Sequence, residues 1–293
     1  MAEGGIVREA MYYIHEGNKI RCQLCPRGCL LSEGKKGVCR SREVINGSLI
    51  ATAYGKTTSL ALDPIEKKPL YHFHPGTMIV SLGPNSCNLT CKFCQNWEIS
   101  QQEYPTRYLA IEDLIEIVRQ QRDQQVAFTY SEPLMWYEYI LDFSTKAPDI
   151  DIVLVTNAYI NKEPWQNILK VVKAVNIDIK SYRDKFYQEI CGGKLDIVLA
   201  NIIIAKEMGV HLELTNLLIP GYNNSEEELN DLAEFIASVD KNIPLHISAY
   251  RPCYKMTVRP TTKEEVESAC EIASKYLNYV YAGNVHSSRF SRR

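Results

Sequence analysis

Three observations predict an α/β fold in which a partial or full TIM-like (β/α) barrel carries a small Cys-rich N-terminal module. Short apolar runs alternate with helical patterns from about residue 78 onward, polar residues recur where those runs end, and four cysteines crowd a Gly- and Pro-punctuated stretch ahead of them. At least six strand-helix units can be counted, which favours a barrel over an open doubly wound sheet, although both use the same local pattern. The predicted organisation is residues 1–77 as a four-cysteine metal-binding module plus connector, and residues 78–293 as the barrel.

Taken in order, "MIVSLG" reads as the first barrel strand, and "IEDLIEIVRQQRD" has the helical period that follows it. "QQVAFTY" precedes the helical "LMWYEYILDFSTKA", "IDIVLVTN" precedes "WQNILKVVKA", and "VNIDIK" precedes "FYQEI" and "LDIVLANIIIAKEMG". "HLELTNLLIP" runs through a Pro-Gly turn into "SEEELNDLAEFIASV", whose start Asn223, Asn224 or Ser225 is placed to cap. "LHISAY" with "KEEVESACEIASKY", and finally "YVYAG", complete the series. Barrel sites form where strands run into loops at the C-terminal face. Cys87, Cys91 and Cys94 follow the first strand, Glu132 the second, Asn157 ends the third, and Asp178 and Lys180 close the fourth, so polar groups converge on one rim.

A formal net charge of -2 over 293 residues gives no bulk basic field of the kind that draws in nucleic acid. No apolar run reaches the roughly 18 residues that span a bilayer, and the N-terminal stretch lacks the apolar core of a secretory signal, so a cytoplasmic protein without membrane contact is expected. Ten cysteines in such a chain suggest ligands, reactive thiols or small buried hydrophobes before disulfides. Seven fall into two clusters; Cys191, Cys253 and Cys270 stand alone, with Cys270 read as helical packing.

The stretch "SCNLTCKFCQNW" crowds three thiols into eight residues. A four-iron cluster held by three thiolates leaves one iron free to bind a small molecule, so the missing fourth ligand is itself a possible function; zinc with a ligand from elsewhere is the alternative. "CNLTCKFC" resembles the C-x3-C-x2-C signature of the radical S-adenosylmethionine (SAM) enzymes. That resemblance implies a [4Fe-4S] cluster on Cys87, Cys91 and Cys94 whose open iron is chelated by SAM. It further implies reductive cleavage of SAM to methionine and a 5'-deoxyadenosyl radical, which abstracts hydrogen from a substrate. "TYSEP" resembles the family's Gly-Gly-Glu-Pro stretch, with Ser131 and Glu132 at matching positions, and implies that Glu132 meets the SAM ammonium. Thr156 and Asn157 in "VTNAY" stand where family members hold ribose or carboxylate. Asp178 and Lys180 in "NIDIKS" resemble the Asp-x-Lys pair of glycyl radical enzyme activases, and a salt-bridged pair of purely structural role is the alternative. His246 and Arg251 are further candidates to face substrate, His246 equally as a satisfied interior histidine, and Asn284 lies near the rim.

Upstream, Cys22, Cys25, Cys29 and Cys39 follow C-x2-C-x3-C-x9-C in a region too poor in apolar residues to fold unaided, so metal ligation would supply folding energy. Zinc is the default for four thiolates, with a second iron-sulfur cluster as the alternative. The segment "LDPIEKKPLYHFHPG", with its neighbours, is similar to the radical SAM member of the AmmeMemoRadiSam system, itself related to pyruvate formate-lyase activating enzymes. This implies Memo-like and AMMECR1-like partners and an electron donor such as flavodoxin or ferredoxin. His72 and His74 are expected to seat that connector over the barrel mouth, close to the cluster loop.

The leading expectation is a radical SAM enzyme acting on a small-molecule or protein substrate. Its rivals are an activase that places a glycyl radical on a partner enzyme and, in a different class, a zinc-stapled nucleic-acid-binding protein supported by Arg21, Arg27, Lys35, Lys36, Arg40 and Arg42.

Overall fold

A computed structural model describes residues 7–291. The N-terminal region folds as two small antiparallel sheets. One contains β1 (Tyr13–Glu16), β2 (Lys19–Cys22) and β3 (Leu30–Leu31), and the other β4 (Arg42–Ile45) and β5 (Ser48–Ala51). β6 (Lys56–Pro64) then runs antiparallel along β7 (Met78–Pro84), and β8 (Arg107–Tyr108) pairs with the start of β6.

From β7 the sheet proceeds in chain order, each strand parallel to the last, through β9 (Gln125–Phe128), β10 (Asp151–Thr156), β11 (Ala174–Asp178), β12 (His211–Leu218), β13 (Leu245–Ala249) and β14 (Val280–Gly283). β14 and β8 form its two free edges, so the barrel is partial. The helices are α1 (Trp97–Gln101), α2 (Ile111–Arg119), α3 (Tyr137–Lys146), α4 (Lys162–Leu169), the short α5 (Asp184–Phe186) continued by a π-helical turn Tyr187–Cys191, α6 (Leu195–Glu207), α7 (Glu226–Asp240) and α8 (Lys263–Ala273). Local chemistry sets their starts. Ser225 caps α7 by accepting the Glu228 N–H at 3.2 Å, and Thr262 and Glu265 form a capping box at α8. Cys270 is fully buried in α8, as its helical setting predicts. No helix among the described residues is long and apolar enough to cross a membrane.

Alternation along the strands splits the core in two. Val80, Val126, Phe128, Ile152, Leu154 and Val175 belong to the main core, with α3 contributing Ile140 and Phe143. Ile79, Ala127, Val153 and Ala174 face the other way and pack on Ile65, Leu70 and Phe73 from the connector. The connector therefore fills the inside of the half-open barrel. Ile65 and Leu70 are fully buried, a contribution of about 1.5–3 kcal/mol each.

The expectation that His72 and His74 seat the connector over the mouth is overturned. They lie at the opposite end, where the strands begin. The buried Glu213 carboxylate, on the third residue of β12, accepts the Tyr71 and His72 backbone N–H groups at 3.0 and 2.7 Å and also contacts His246 Nε2 at 2.7 Å and His211 Nε2 at 3.0 Å. His72 Nε2 meets the Tyr281 hydroxyl at 2.7 Å, and His74 meets Asp151 at 3.2 Å. A buried carboxylate needs such donors, and the connector's backbone supplies two of them. His246 is thus a satisfied interior histidine that does not line the strand-end cavity.

Candidate active site

The C-terminal strand ends surround one open cavity, lined among others by Cys87, Cys91, Cys94, Ser131, Glu132, Asn157, Asp178 and Lys180. The loop after β7 carries the three thiols, and it is held from several sides. Thr90 and Lys92 donate their N–H groups to the Cys191 and Ile190 carbonyls at 2.8 and 3.0 Å, Lys92 O accepts the Lys255 N–H at 2.9 Å, and Trp97 stacks on Tyr254. Donors point at the sulfurs: the Leu89 N–H at Cys87 Sγ (3.4 Å), Asn157 Nδ2 at the same sulfur (3.8 Å), while the Ser100 hydroxyl lies 3.1 Å from Cys94 Sγ. Burial pushes the Cys87 and Cys94 thiols up, so metal coordination is what would hold them as thiolates. Three thiols with aimed donors, beside an open cavity, form a donor set that fits an iron-sulfur cluster with one uncommitted iron.

Glu132 lines the cavity with only 1% of its surface exposed. Its Oε1 accepts the Thr156 hydroxyl at 2.7 Å and the Leu134 N–H at 3.0 Å, and its Oε2 accepts the Asn157 N–H at 2.8 Å. Burial nevertheless outweighs these bonds and pushes its carboxyl up to about 7. Tyr130 just before it takes φ +69°, a left-handed conformation at a position where the resembling stretch has glycine. The Tyr130 hydroxyl donates to Asp63 at 2.7 Å, and Lys68 sits 4.6 Å above its ring, so the connector holds this residue in place.

The remaining expected residues divide. Ser131 donates to the Pro84 carbonyl at 2.6 Å and lines the cavity. Asn157 lines it too and donates to Asn88 Oδ1 at 3.0 Å. Thr156 does not reach the cavity, because its hydroxyl is turned to Glu132 and accepts the Ala158 N–H at 3.0 Å. Asp178 and Lys180 form an ion pair at 3.1 Å and line the cavity together, so the salt bridge and the site coincide. Burial pulls the Lys180 ammonium pKa down, but Asp178 and the nearby Cys91 and Cys191 thiols outweigh it and raise it. The loop after β12 braces this pair without lining the cavity: Asn223 donates to the Lys180 carbonyl at 2.8 Å and the Leu217 carbonyl at 2.9 Å. Arg251 is exposed and Asn284 lines the cavity.

Sequence reading missed several residues. Thr215 and Ser248 line the cavity two positions beyond Glu213 and His246, so period-two alternation could have found them. Gln95, Gln101 and Pro69 carried no signal. Cys191, expected to stand alone, is fully buried against the cluster loop, where its thiol hydrogen-bonds with that of Cys91.

Cys22, Cys25, Cys29 and Cys39 line a second, smaller cavity. The Ser41 hydroxyl donates to Cys39 Sγ at 3.2 Å. Burial raises the Cys22 thiol and pushes that of Cys25 up to about 12. None of the ten cysteines is joined in a disulfide.

The sequence profile of the radical SAM superfamily matches residues 83–236. An uncharacterized protein of Methanocaldococcus jannaschii is 43% identical over 288 residues, which cover 95% of this chain and 86% of the relative. The 4-hydroxyphenylacetate decarboxylase activating enzyme of Clostridium scatologenes is 30% identical over 118 residues, 39% of this chain and 38% of that one. In fold, the crystal structure of Streptococcus suis SuiB bound to S-adenosylmethionine superposes with a TM-score of 0.55 at 18% identity, over 68% of this chain and 48% of SuiB. With more than half its length matched by the profile, and with three cysteines at the matching spacing on the strand-end rim, the chain belongs to the radical SAM superfamily and is a radical SAM enzyme.

Proposed function

We propose that this enzyme cleaves SAM reductively and abstracts hydrogen from a small or medium-sized substrate, with Cys87, Cys91 and Cys94 holding a [4Fe-4S] cluster. The observation that carries this reading is the opening of three thiols, a carboxylate with no ion pair of its own and an Asp-Lys pair onto one cavity. When bound, the cluster supplies one electron and SAM supplies the hydrogen-abstracting 5'-deoxyadenosyl group. The chain's own residues bind and orient. Leu89, Asn157 and Ser100 place polar hydrogens toward two ligand sulfurs. Glu132 offers negative charge to the SAM ammonium, and Lys180 offers positive charge to its carboxylate. Ser131 and Asn157 add polar contacts on the cavity wall, and Thr156 fixes Glu132. Below them, the connector keeps water out of the barrel interior. Residues 1–77 then serve as metal module and plug, and 78–293 as the barrel that performs the reaction, in a cytoplasmic protein.

Cys91→Ala tests the reading. In anaerobic protein supplied with dithionite and SAM, the wild type is expected to form 5'-deoxyadenosine and the variant none, with the variant still folded, since the sheet and its two cores bury most of the apolar surface. Deoxyadenosine from the variant would refute the assignment.

A second reading, a glycyl radical enzyme activase, is favoured by the Asp178–Lys180 pair and by the name of the clostridial relative. Incubation with a candidate glycyl radical enzyme would give a glycyl signal in electron paramagnetic resonance; SAM consumption without that signal would sink it. A flavodoxin or ferredoxin is the proposed electron donor. Memo-like and AMMECR1-like proteins are the proposed partners, to be sought by co-purification. The nucleic-acid-binding alternative gives way to the enzyme family.

A further inference from the structure

We infer that Cys22, Cys25, Cys29 and Cys39 hold a second, fully ligated iron-sulfur cluster of the [4Fe-4S] type, and that it relays electrons to the cluster on Cys87, Cys91 and Cys94. One observation favours a cluster over zinc, and two more mark the cage as an anionic metal centre. A tetrahedral zinc ion draws four sulfurs to about 2.3 Å from one point. Here the four thiols line a small cavity with room for about one water molecule, and among the described residues no three His, Cys, Asp or Glu side chains stand close enough together to share one ion. Cluster ligation needs this wider spacing, because each thiolate binds a different iron.

The second observation is Gly37. Its φ lies outside the left-handed region, so its backbone does not call for glycine. A Cβ there would project into the cage, 3.7 Å from both the Cys29 and Cys39 sulfurs. The third is charge. Arg42, 1% exposed and ion-paired through Nη2 with Glu138, and Arg27 line the cage, and among the described residues Arg42 Nε and Arg27 Nη2 are buried without a hydrogen-bond partner. Unspent guanidinium N–H groups beside four thiolates suit an anionic cluster.

The relay follows from the neighbours of Cys87. Ser86 donates its hydroxyl to the Cys39 carbonyl at 2.8 Å, and Arg27 Nε donates to the Asn88 carbonyl at 2.8 Å. Asn88 also lines the four-cysteine cage, so the cage abuts both chain neighbours of the first cluster ligand. In the relay, a one-electron flavin or iron-sulfur protein reduces the N-terminal cluster. That cluster is reoxidised as it passes the electron on, and no atom is transferred.

The site is tested without any turnover. The variant Cys87→Ala/Cys91→Ala/Cys94→Ala, reconstituted anaerobically, is expected to hold about four irons and four sulfides per chain with a [4Fe-4S] Mössbauer spectrum. Zinc in their place, or no metal in folded protein, overturns the site. If that variant does not fold, the wild-type content decides, about eight irons supporting the second cluster and about four excluding it. The relay rests on the SAM-cleaving reading and has its own test in Gly37→Val, which should lower iron from about eight to about four per chain. Reduced flavodoxin should then no longer reduce the remaining cluster, as followed by electron paramagnetic resonance, while dithionite still does. Undiminished reduction by flavodoxin after that loss would overturn the relay and leave the site standing.

Discussion

Two glutamates, one at each end of the barrel, are both buried and both richly hydrogen-bonded, yet their acidities go opposite ways. Glu132 at the mouth accepts three hydrogen bonds and is pushed up to about 7, whereas Glu213 at the floor has four partners and is held down at about 2. Burial is the largest influence at both and raises both. What differs is the donors: Glu213 faces two imidazoles, while Glu132 is served by backbone N–H groups and a hydroxyl, and the nearby Lys180 is bonded to Asp178. The floor is electrostatically complete. The mouth carries a carboxylate with no ion pair of its own, its nearby Lys180 being paired with Asp178, and a raised buried carboxyl in a cavity suits a ligand site.

The largest effect should come from breaking the completed end. Glu213→Ala leaves two backbone N–H groups and two imidazoles without their acceptor, and an expected loss of about 3–5 kcal/mol should shift the urea midpoint strongly. The pH sign is fixed by a depressed carboxyl. The stability it contributes is fully present above the unfolded value of about 4.3 and is lost as pH falls toward about 2. Glu213→Gln should therefore lose less stability than wild type across that window. Equal losses in the two proteins would show that the imidazoles do not set the difference between the ends.

At the mouth, a smaller effect falls on binding. Glu132→Gln should weaken SAM affinity by about 1.5–3 kcal/mol, the range of a charge-assisted hydrogen bond. Because the carboxyl is raised, ionisation grows as pH climbs through about 7, so wild-type affinity should rise between pH 6 and pH 8 while the variant's stays flat. In the ligand-free protein the same shift has the reverse consequence: stability drains away as pH rises from about 4.3 through about 7. Calorimetric titration at several pH values checks the first sign and thermal melts the second. A flat wild-type profile would place the cofactor's ammonium away from Glu132.

The two ends were unequally legible in the sequence. Strand order and the rim placement of Cys87, Glu132, Asn157 and Asp178 followed from local periodicity, because a parallel strand and its next loop are contiguous in the chain. The floor did not, since Glu213, Tyr71 and Tyr281 meet across more than 200 residues. "YHFH" was legible as a seat for the connector, but nothing in its pattern says which barrel end it reaches. Cys191 was missed for the same reason: a single cysteine has no spacing to read, and its contact with Cys91 depends on a π-helical turn folding back on the cluster loop. Thr156 was placed on the right strand, but only the structure turns its hydroxyl away from the cavity.

The smallest effect sharpens the contrast most. His74 of the same connector pairs with Asp151 of β10 at 3.2 Å, with side chains 49% and 35% exposed. Charges this open to water are screened and hold their geometry at an entropic cost, so such pairs add about 0–1 kcal/mol. If the connector is held by the buried carboxylate and by Ile65, Leu70 and Phe73, His74→Ala should shift stability by no more than about 0.5 kcal/mol. The Glu213→Ala effect should also be nearly unchanged in that background, because Glu213 bonds the Tyr71 and His72 backbone and the His74–Asp151 pair does not. A double-mutant cycle read by urea denaturation measures both terms. A coupling above about 1 kcal/mol would mean that the plug acts as one cooperative unit and that its exposed pair helps to aim the buried one.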